Sequence, residues 1–467
     1  TGAGDDIVKI ETYAGQTVLE TAAGTDQVTV FDGTGDDAAS GAQLTINGGE
    51  NGDAYEITSA PHLTGISFIN LQDNGTVGID TLIYKGSSSN DVLQLDTVYL
   101  KADDPDQTFD VDRWSDYGSH GQGLIISHFS GNNDYGKKDI NDSQQLFSLS
   151  ATSLTAGSDM QIINYSSVER SDVFAGKGDD KIIGDDTAQE LKVYGNEGDD
   201  QFFIGSVLET ETVLADGREV AIVTSITHGT SHPAKFFGGA DDDYFEVNHN
   251  AADISLFGDN GDDIFFIKAL LTLNEDEDLV ELKSETATVS GVSGDESDET
   301  QKENDTREVD SDALVYIQNA NIKIDGGAGF DSVAVVGTVL GDTFYVFTEE
   351  VEGEVVQRIY GAGVKLEELL NIERIMLLTG GGDDRIYVYG VDLGPVADLV
   401  INTGTGSDTV YVGGEARFID LSFPKRKRTD YSSVYGYQVS GQTLVDFGLA
   451  IHLTDTLNRV VPHEVEE

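Results

Sequence analysis

Aspartate set directly after a glycine-rich run is the recurring chemical feature of this chain. It appears in Gly176-Lys-Gly-Asp-Asp180-Lys-Ile-Ile183, Gly195-Asn-Glu-Gly-Asp-Asp200-Gln-Phe-Phe203 and Gly258-Asp-Asn-Gly-Asp-Asp263-Ile-Phe-Phe266. It returns in Gly326-Gly-Ala-Gly-Phe-Asp331-Ser-Val333, Gly380-Gly-Gly-Asp-Asp384-Arg-Ile386 and Gly404-Thr-Gly-Ser-Asp408-Thr-Val410, with weaker copies ending at Asp6, Asp26, Asp37 and Asp243. Glycine has no Cβ, so such a turn can take positive φ and aim successive carbonyls inward. The aspartate adds a short, stiff carboxylate. Carboxylate and carbonyl oxygens, about six to eight of them, are what a calcium ion collects. Two such turns stacked at the strand spacing of about 4.8 Å would pool their oxygens into one cage. The candidate metal ligands are therefore Asp6, Asp37, Asp179, Asp180, Asp199, Asp200, Asp242, Asp243, Asp262, Asp263, Asp331, Asp383, Asp384 and Asp408, with turn glycines Gly178, Gly198, Gly261, Gly382 and Gly406. A single Gly-Asp turn is common; about ten copies in phase with an apolar residue are not.

The spacing says what must position these turns. Asp180 to Asp200, Asp243 to Asp263 and Asp6 to Asp26 are each 20 residues apart, and Asp384 to Asp408 is 24. A period near twenty fits one coil of a solenoid with two or three short strands, not a nine-residue repeat in tandem. Residues after each aspartate alternate, as in Val333/Val335, Ile386/Val388 and Val410/Val412, the period of a strand with one buried face. The continuous runs Phe202-Phe203-Ile204 and Ile264-Phe265-Phe266-Ile267 predict burial on both faces or a contact between domains. The stretch from Val364 to Ile375 could start as a short helix, but its second half reads as strand. Val220-Ala-Ile-Val223 with Ile226 suggests a hairpin projecting from the repeat body.

Composition sets the outer limits. The chain has 467 residues, with 54 Gly and only 6 Pro, a balance suited to many tight turns between short strands. Asp and Glu number 85 against 27 Lys and Arg, for a formal net charge of −58. That field repels nucleic acid and anionic membranes alike. It also opposes compaction unless counter-cations intervene, although solubility or adaptation to salt would produce the same composition. Without Cys there is neither a disulfide nor a thiolate metal site, so a secreted fold would need another staple, and bound calcium is one. No apolar run approaches the roughly 20 residues of a membrane span. The chain opens inside a repeat, Thr1-Gly-Ala-Gly-Asp-Asp6, which is expected of a processed protein or a segment of a longer one.

These units resemble the RTX, or hemolysin-type, calcium-binding nonapeptide Gly-Gly-x-Gly-x-Asp-x-apolar-x. Gly326 to Val333 matches at every defined position, and the units ending at Ile182, Ile386 and Val410 match from their second glycine. The resemblance implies an all-β, parallel, right-handed β-solenoid (a β-helix or β-roll) with polar and acidic loop insertions. It also implies calcium held by Asp180, Asp200, Asp243, Asp263, Asp331, Asp384 and Asp408 with turn carbonyls. Departures exist: Asp241, Asn196 and Asp259 stand where the motif has Gly, and the copies are widely spaced. Asp331 has no motif about twenty residues away, so it could instead be a turn without an ion.

The expected organisation is an N-terminal β-repeat region at 1–100, an irregular polar insertion at 101–165 and a solenoid at 166–273. An acidic loop follows at 274–312, then a second solenoid at 313–414 and a C-terminal β region at 415–467. Lys425-Arg-Lys-Arg428 concentrates basic charge in a solvated loop, a processing site or a contact with an acidic face; Asn74, Asn141, Asn164 and Asn304 begin sequons.

No Gly-x-Ser-x-Gly elbow, His-Glu-x-x-His or phosphate loop occurs, and His228 and His232 are separated by residues that argue against an aligning helix. The chain is therefore expected not to be an enzyme but an extracellular calcium-binding structural or adhesive protein. It would be a rod segment of a surface layer, matrix or filament that self-associates or binds other surface or matrix proteins, with no nucleic acid and no membrane insertion. The alternative is the calcium-binding portion of a secreted toxin or hydrolase whose active domain lies elsewhere. An ice- or glycan-binding face would need a regular threonine or aromatic ladder, and the sequence shows none.

Overall fold

The structure is a computed structural model of the chain. It describes residues 2–31, 37–38, 42–59, 62–63, 66–72, 75, 77–88, 90–99, 122–130, 160–166, 168–187, 190–274, 307–351, 354–389, 398–412, 415–417, 438–440, 451–453 and 459–462. Trp114, Asn132–Asp134, most of the acidic segment at 275–306, Lys425–Arg428, and the sequon residues Asn74, Asn141 and Asn304 lie outside the described residues.

The period-two alternation becomes strand throughout. Gln201–Ile204 is typical: Phe202 and Ile204 point inward and are buried, while Gln201 is exposed and Phe203 half-buried. The architecture is all-β and mostly parallel. Most described strands form a 15-stranded and a 14-stranded sheet, with smaller sheets beside them, and the chain passes from one large sheet to the other and back. Arg170–Lys177 lies in the first, Lys181–Gly184 in the second, Glu190–Glu197 in the first and Gln201–Ile204 in the second. Register is kept residue for residue: Ile182 stands beside Phe202, and Phe202 beside Phe245. One continuous apolar core fills the space between the sheets, from Tyr13 to Val412.

The apolar runs bury only one face. Ile264 is 43% exposed while Phe265 and Ile267 are fully buried. The outward Phe203 is covered instead by Lys181, whose Nζ lies 5.0 Å from the ring centroid. Aromatic side chains in register also stack where sequence inspection saw no regular ladder. Phe174, Tyr194, Phe237 and Phe257 form a half-buried outer column at 4.6, 4.7 and 4.6 Å, and Phe202, Phe245 and Phe265 form an inner one. The rings of the outer column lie face to face, so the column presents edges rather than a flat platform.

Antiparallel strands interrupt both sheets. Within the segment expected to be irregular, Gln122–Ser130 and Met160–Ser166 pair antiparallel and insert between Asp91–Tyr99 and Ile66–Gln72. Thr343–Val351, Glu354–Gly361 and Val364–Leu370 do the same in the first sheet, so the possible helix after Val364 is strand. The hairpin Val207–Ala215/Arg218–Ile226 turns at Asp216 and Gly217, both at positive φ. It packs rather than projects: Val213, Ala215, Val220 and Ile222 build a second small core with Leu271, Leu314 and Leu340. Among the described residues no helix is long and apolar enough to cross a membrane.

Candidate cation-binding site

The glycine-rich turns ending at Asp180, Asp200, Asp243, Asp263 and Asp384 carry two aspartates with opposite environments. The second, such as Asp200, is fully buried; the first, such as Asp199, is exposed. Both are tied to neighbouring turns, in opposite directions. Asp180 N–H donates forward to Oδ1 of Asp200 at 2.8 Å, Asp200 to Asp243, Asp243 to Asp263 at 2.8 Å, and Asp263 to Asp331 at 2.9 Å. The outer row runs backward: Asp199 N–H donates to Asp179 Oδ1 at 3.2 Å, Asp242 to Asp199, and Asp262 to Asp242. The turns from Asp180 to Asp263 are thereby tied to their neighbours on both sides.

The carboxylates form three rows, buried except for the half-buried Asp6 and Glu373 and the exposed Glu169. Asp6, Asp26, Asp53, Asp80 and Glu169 precede strands of the first sheet. Asp91, Asp180, Asp200, Asp243, Asp263, Asp331 and Glu373 precede strands of the second. Asp342, Asp384 and Asp408 return to the first. The sequence suggested a single set, but Asp384 and Asp408 lie on a different sheet edge from Asp200. Asp331 is no isolated turn: its carboxylate accepts from Asp263, 68 residues earlier, because a long insertion separates consecutive layers. Asp37 stands on a separate three-stranded sheet. Its strand Asp37–Ala38 pairs with Thr12–Tyr13 and His62–Leu63, so its in-register neighbours are Thr12 and His62. Asp179, Asp199, Asp242, Asp262 and Asp383 belong to the outer rows, with Asp383 accepting from Ser407 N–H.

The glycines do two jobs. Gly178, Gly198, Gly261, Gly382 and Gly406 hold positive φ; a Cβ on Gly198 would also strike Gly178 O at 2.2 Å. Asn196, Asp241 and Asp259, which depart from the motif, take positive φ themselves, and Asn and Asp tolerate that region best after Gly. Gly195 is different, because its φ is ordinary. A Cβ there would lie 2.0 Å from Asp200 Oδ2 and 2.6 Å from Gly238 O, so the missing methyl leaves room for a carboxylate and a carbonyl to approach each other. The same pairing recurs at Gly238 (Asp243 Oδ2, Gly258 O), Gly258 (Asp263 Oδ2, Gly326 O) and Gly326 (Asp331 Oδ2, Asn371 O).

Sequence inspection missed Asp53, Asp80, Asp91 and Asp342 as row members, and Glu169 and Glu373 as row ends. A glycine five residues before each of those aspartates, Gly48, Gly75, Gly86 and Gly337, was the available signal. For the glutamates there was none, since only the stacking identifies them.

The electrostatics follow from burial. Oδ2 of Asp26, Asp180, Asp200, Asp243, Asp263, Asp331 and Asp408 has no hydrogen-bond partner among the described residues. Burial, with neighbouring carboxylates adding to it, pushes Asp180 and Asp243 up to about 8, Asp200 and Asp263 to about 7, and Asp331 to about 6. Two acceptors facing each other with no hydrogen between them repel, and a proton, a donated hydrogen or a cation relieves them. Among the described residues no three acidic or histidine side chains converge on one point. The donors are strung out as one carboxylate oxygen plus one carbonyl per turn, all oxygen, which is the chemistry of a hard cation.

A second polar cluster, unseen in the sequence, lies at the far end of the strands. Asp185 and Asp186 are buried there; Thr227 Oγ1 donates to Asp185, and His228 Nδ1 is 3.4 Å from Asp186 Oδ2. Burial raises Asp185 to about 6. Burial would raise Asp186 too, but hydrogen bonds from His228, Ser231 and the Thr187 N–H bring it below its ordinary value. Ser231 Oγ lies 3.2 Å from the same Nδ1 that faces Asp186, so the trio lacks the two-sided imidazole of a nucleophilic relay. His232 turns to the Thr187 carbonyl.

No family model matches the chain, and no curated protein matches it.

Proposed function

We propose that this chain is a calcium-stabilised structural element, with the two sheets forming the faces of a right-handed parallel β-solenoid. The observation that carries the reading is the fourfold pairing of a buried carboxylate oxygen with a carbonyl of the next turn, at Asp200, Asp243, Asp263 and Asp331. A calcium ion would supply the positive charge these paired acceptors lack. The aspartates and turn carbonyls would hold it, with water completing its shell. Rigidity then comes from the stacked core and from the two opposed rows of hydrogen bonds. A rod of this kind suits an extracellular layer, matrix or filament in which copies associate with one another or with other surface proteins. The net charge of −58 disfavours polyanionic partners.

The test is thermal unfolding by circular dichroism, with calcium and after exhaustive chelation, with magnesium and high sodium chloride as controls. Loss of β signal on chelation, restored by calcium alone, supports the proposal. Stability that follows total ionic strength and ignores calcium overturns it.

A further inference from the structure

The turns of the buried rows are not equivalent, and one residue shows why. At Asp384 the position five residues earlier is Thr379 rather than Gly. Its hydroxyl donates to Asp384 Oδ2 at 2.5 Å and lies 3.3 Å from Thr403 O, the carbonyl of the next turn. These are the same two acceptors, a carboxylate oxygen and a next-turn carbonyl, that face each other with no donor at Asp200, Asp243, Asp263 and Asp331. The hydroxyl hydrogen sits where those turns lack any positive charge. Asp91 and Asp342 are likewise served from within their own turns. The backbone and hydroxyl of Ser87 donate to Asp91, and those of Thr338 donate to Asp342, which Tyr316 also reaches at 2.6 Å.

Threonine at that position is not sufficient by itself. Thr21 gives its hydroxyl to Gly48 O at 2.6 Å and leaves Asp26 Oδ2 unpartnered, and Thr403 Oγ1 has no partner among the described residues. What decides is whether a donor reaches the carboxylate oxygen.

We infer that Thr379 is a built-in substitute for the cation, so that divalent cations are taken by the run Asp200–Asp243–Asp263–Asp331 and not by the turn of Asp384. This rests on the proposed cation binding and goes further by dividing turns that share one sequence motif into ion-taking and self-satisfied. The division is chemical: a turn hydroxyl or N–H that donates a hydrogen to the carboxylate oxygen satisfies it, whereas a turn with no such donor leaves the carboxylate and the next-turn carbonyl to an ion.

The experiment counts calcium ions by isothermal titration calorimetry on the full 467-residue chain, with circular dichroism verifying that each variant is folded. Asp263→Asn is expected to lower the number bound, whereas Asp384→Asn leaves it unchanged. Thr379→Gly is expected to raise the number by one, and Thr379→Ser, which keeps the hydroxyl, to match the parent. If Asp384→Asn lowers the number as Asp263→Asn does, or a folded Thr379→Gly binds no additional ion, the division is wrong while calcium binding stands. If the parent chain binds no calcium, the proposed function falls and this inference with it.

Discussion

The backbone N–H of Asp80 donates to Oε2 of Glu169 at 2.7 Å, joining residues 89 apart in sequence. Asp331 meets Glu373 in the same way at 2.8 Å. In both cases the buried row of aspartates stops at the glutamate, and the longer side chain reaches the last N–H from the next layer. Removing that acceptor should therefore cost a charge-assisted hydrogen bond. Glu169→Ala and Glu373→Ala are expected to destabilise by about 1–2 kcal/mol each in urea unfolding, with Gln costing less because it keeps an acceptor oxygen. Equal costs for Ala and Gln would mean that the contact contributes nothing specific.

Gly195→Ala should be far more damaging than Gly217→Ala. The first would push a methyl to 2.0 Å from Asp200 Oδ2 and 2.6 Å from a main-chain oxygen. The second meets nothing within 4 Å and carries only the strain of positive φ. About 3 kcal/mol or more against about 1 kcal/mol is expected, read from denaturation midpoints with calcium present.

In chelated protein, stability should fall as pH rises. The folded-state values of Asp180, Asp200, Asp243 and Asp263 stand at about 7 to 8, against an ordinary 3.8. Between those limits the folded state holds protons that the unfolded state has released, so raising the pH favours unfolding. Denaturation midpoints in EDTA are expected to be flat below about pH 4 and to decline up to about pH 8, the window set by those values. Saturating calcium should flatten the decline. A midpoint that climbs with pH in EDTA would contradict the burial of these carboxylates.

The outer aromatic column should be energetically coupled. Tyr194 stacks on Phe174 at 4.6 Å and on Phe237 at 4.7 Å. A double-mutant cycle of Tyr194→Ala with Phe237→Ala is expected to give a coupling of about 0.5–1.5 kcal/mol. Tyr194 with the distant Tyr411 should give none, since Tyr411 stacks instead on Tyr387.

His228 should add a smaller pH term. Its hydrogen bond to Asp186 raises its affinity for a proton. The gain is present in full below the unfolded histidine value and is lost as pH rises through the folded one. NMR titration should place the His228 transition above that of His249, which burial lowers. The reverse order would remove Asp186 as its partner.

Local sequence suffices for the strands and turns of the repeats, though not for the antiparallel strands Gln122–Ser130 and Met160–Ser166. Alternation after each aspartate fixes which side chains face inward, and most positive-φ turn positions hold Gly, Asn or Asp, as at Asn196, Asp241 and Asp259, although Ala22 before Asp26 takes φ +79°. Which turns stack is settled by the fold alone. Asp263 meets Asp331 and Asp91 meets Asp180 across separations of 68 and 89 positions, and no local pattern records those pairings. Stacking also split one motif into rows on two sheet edges, separated an exposed carboxylate from a buried one beside it, and brought Asp186 to His228 across 42 residues. The physical reason is range. Backbone sterics and side-chain alternation act within a few residues, whereas burial and the company a carboxylate keeps depend on which distant turn lands about 4.8 Å away.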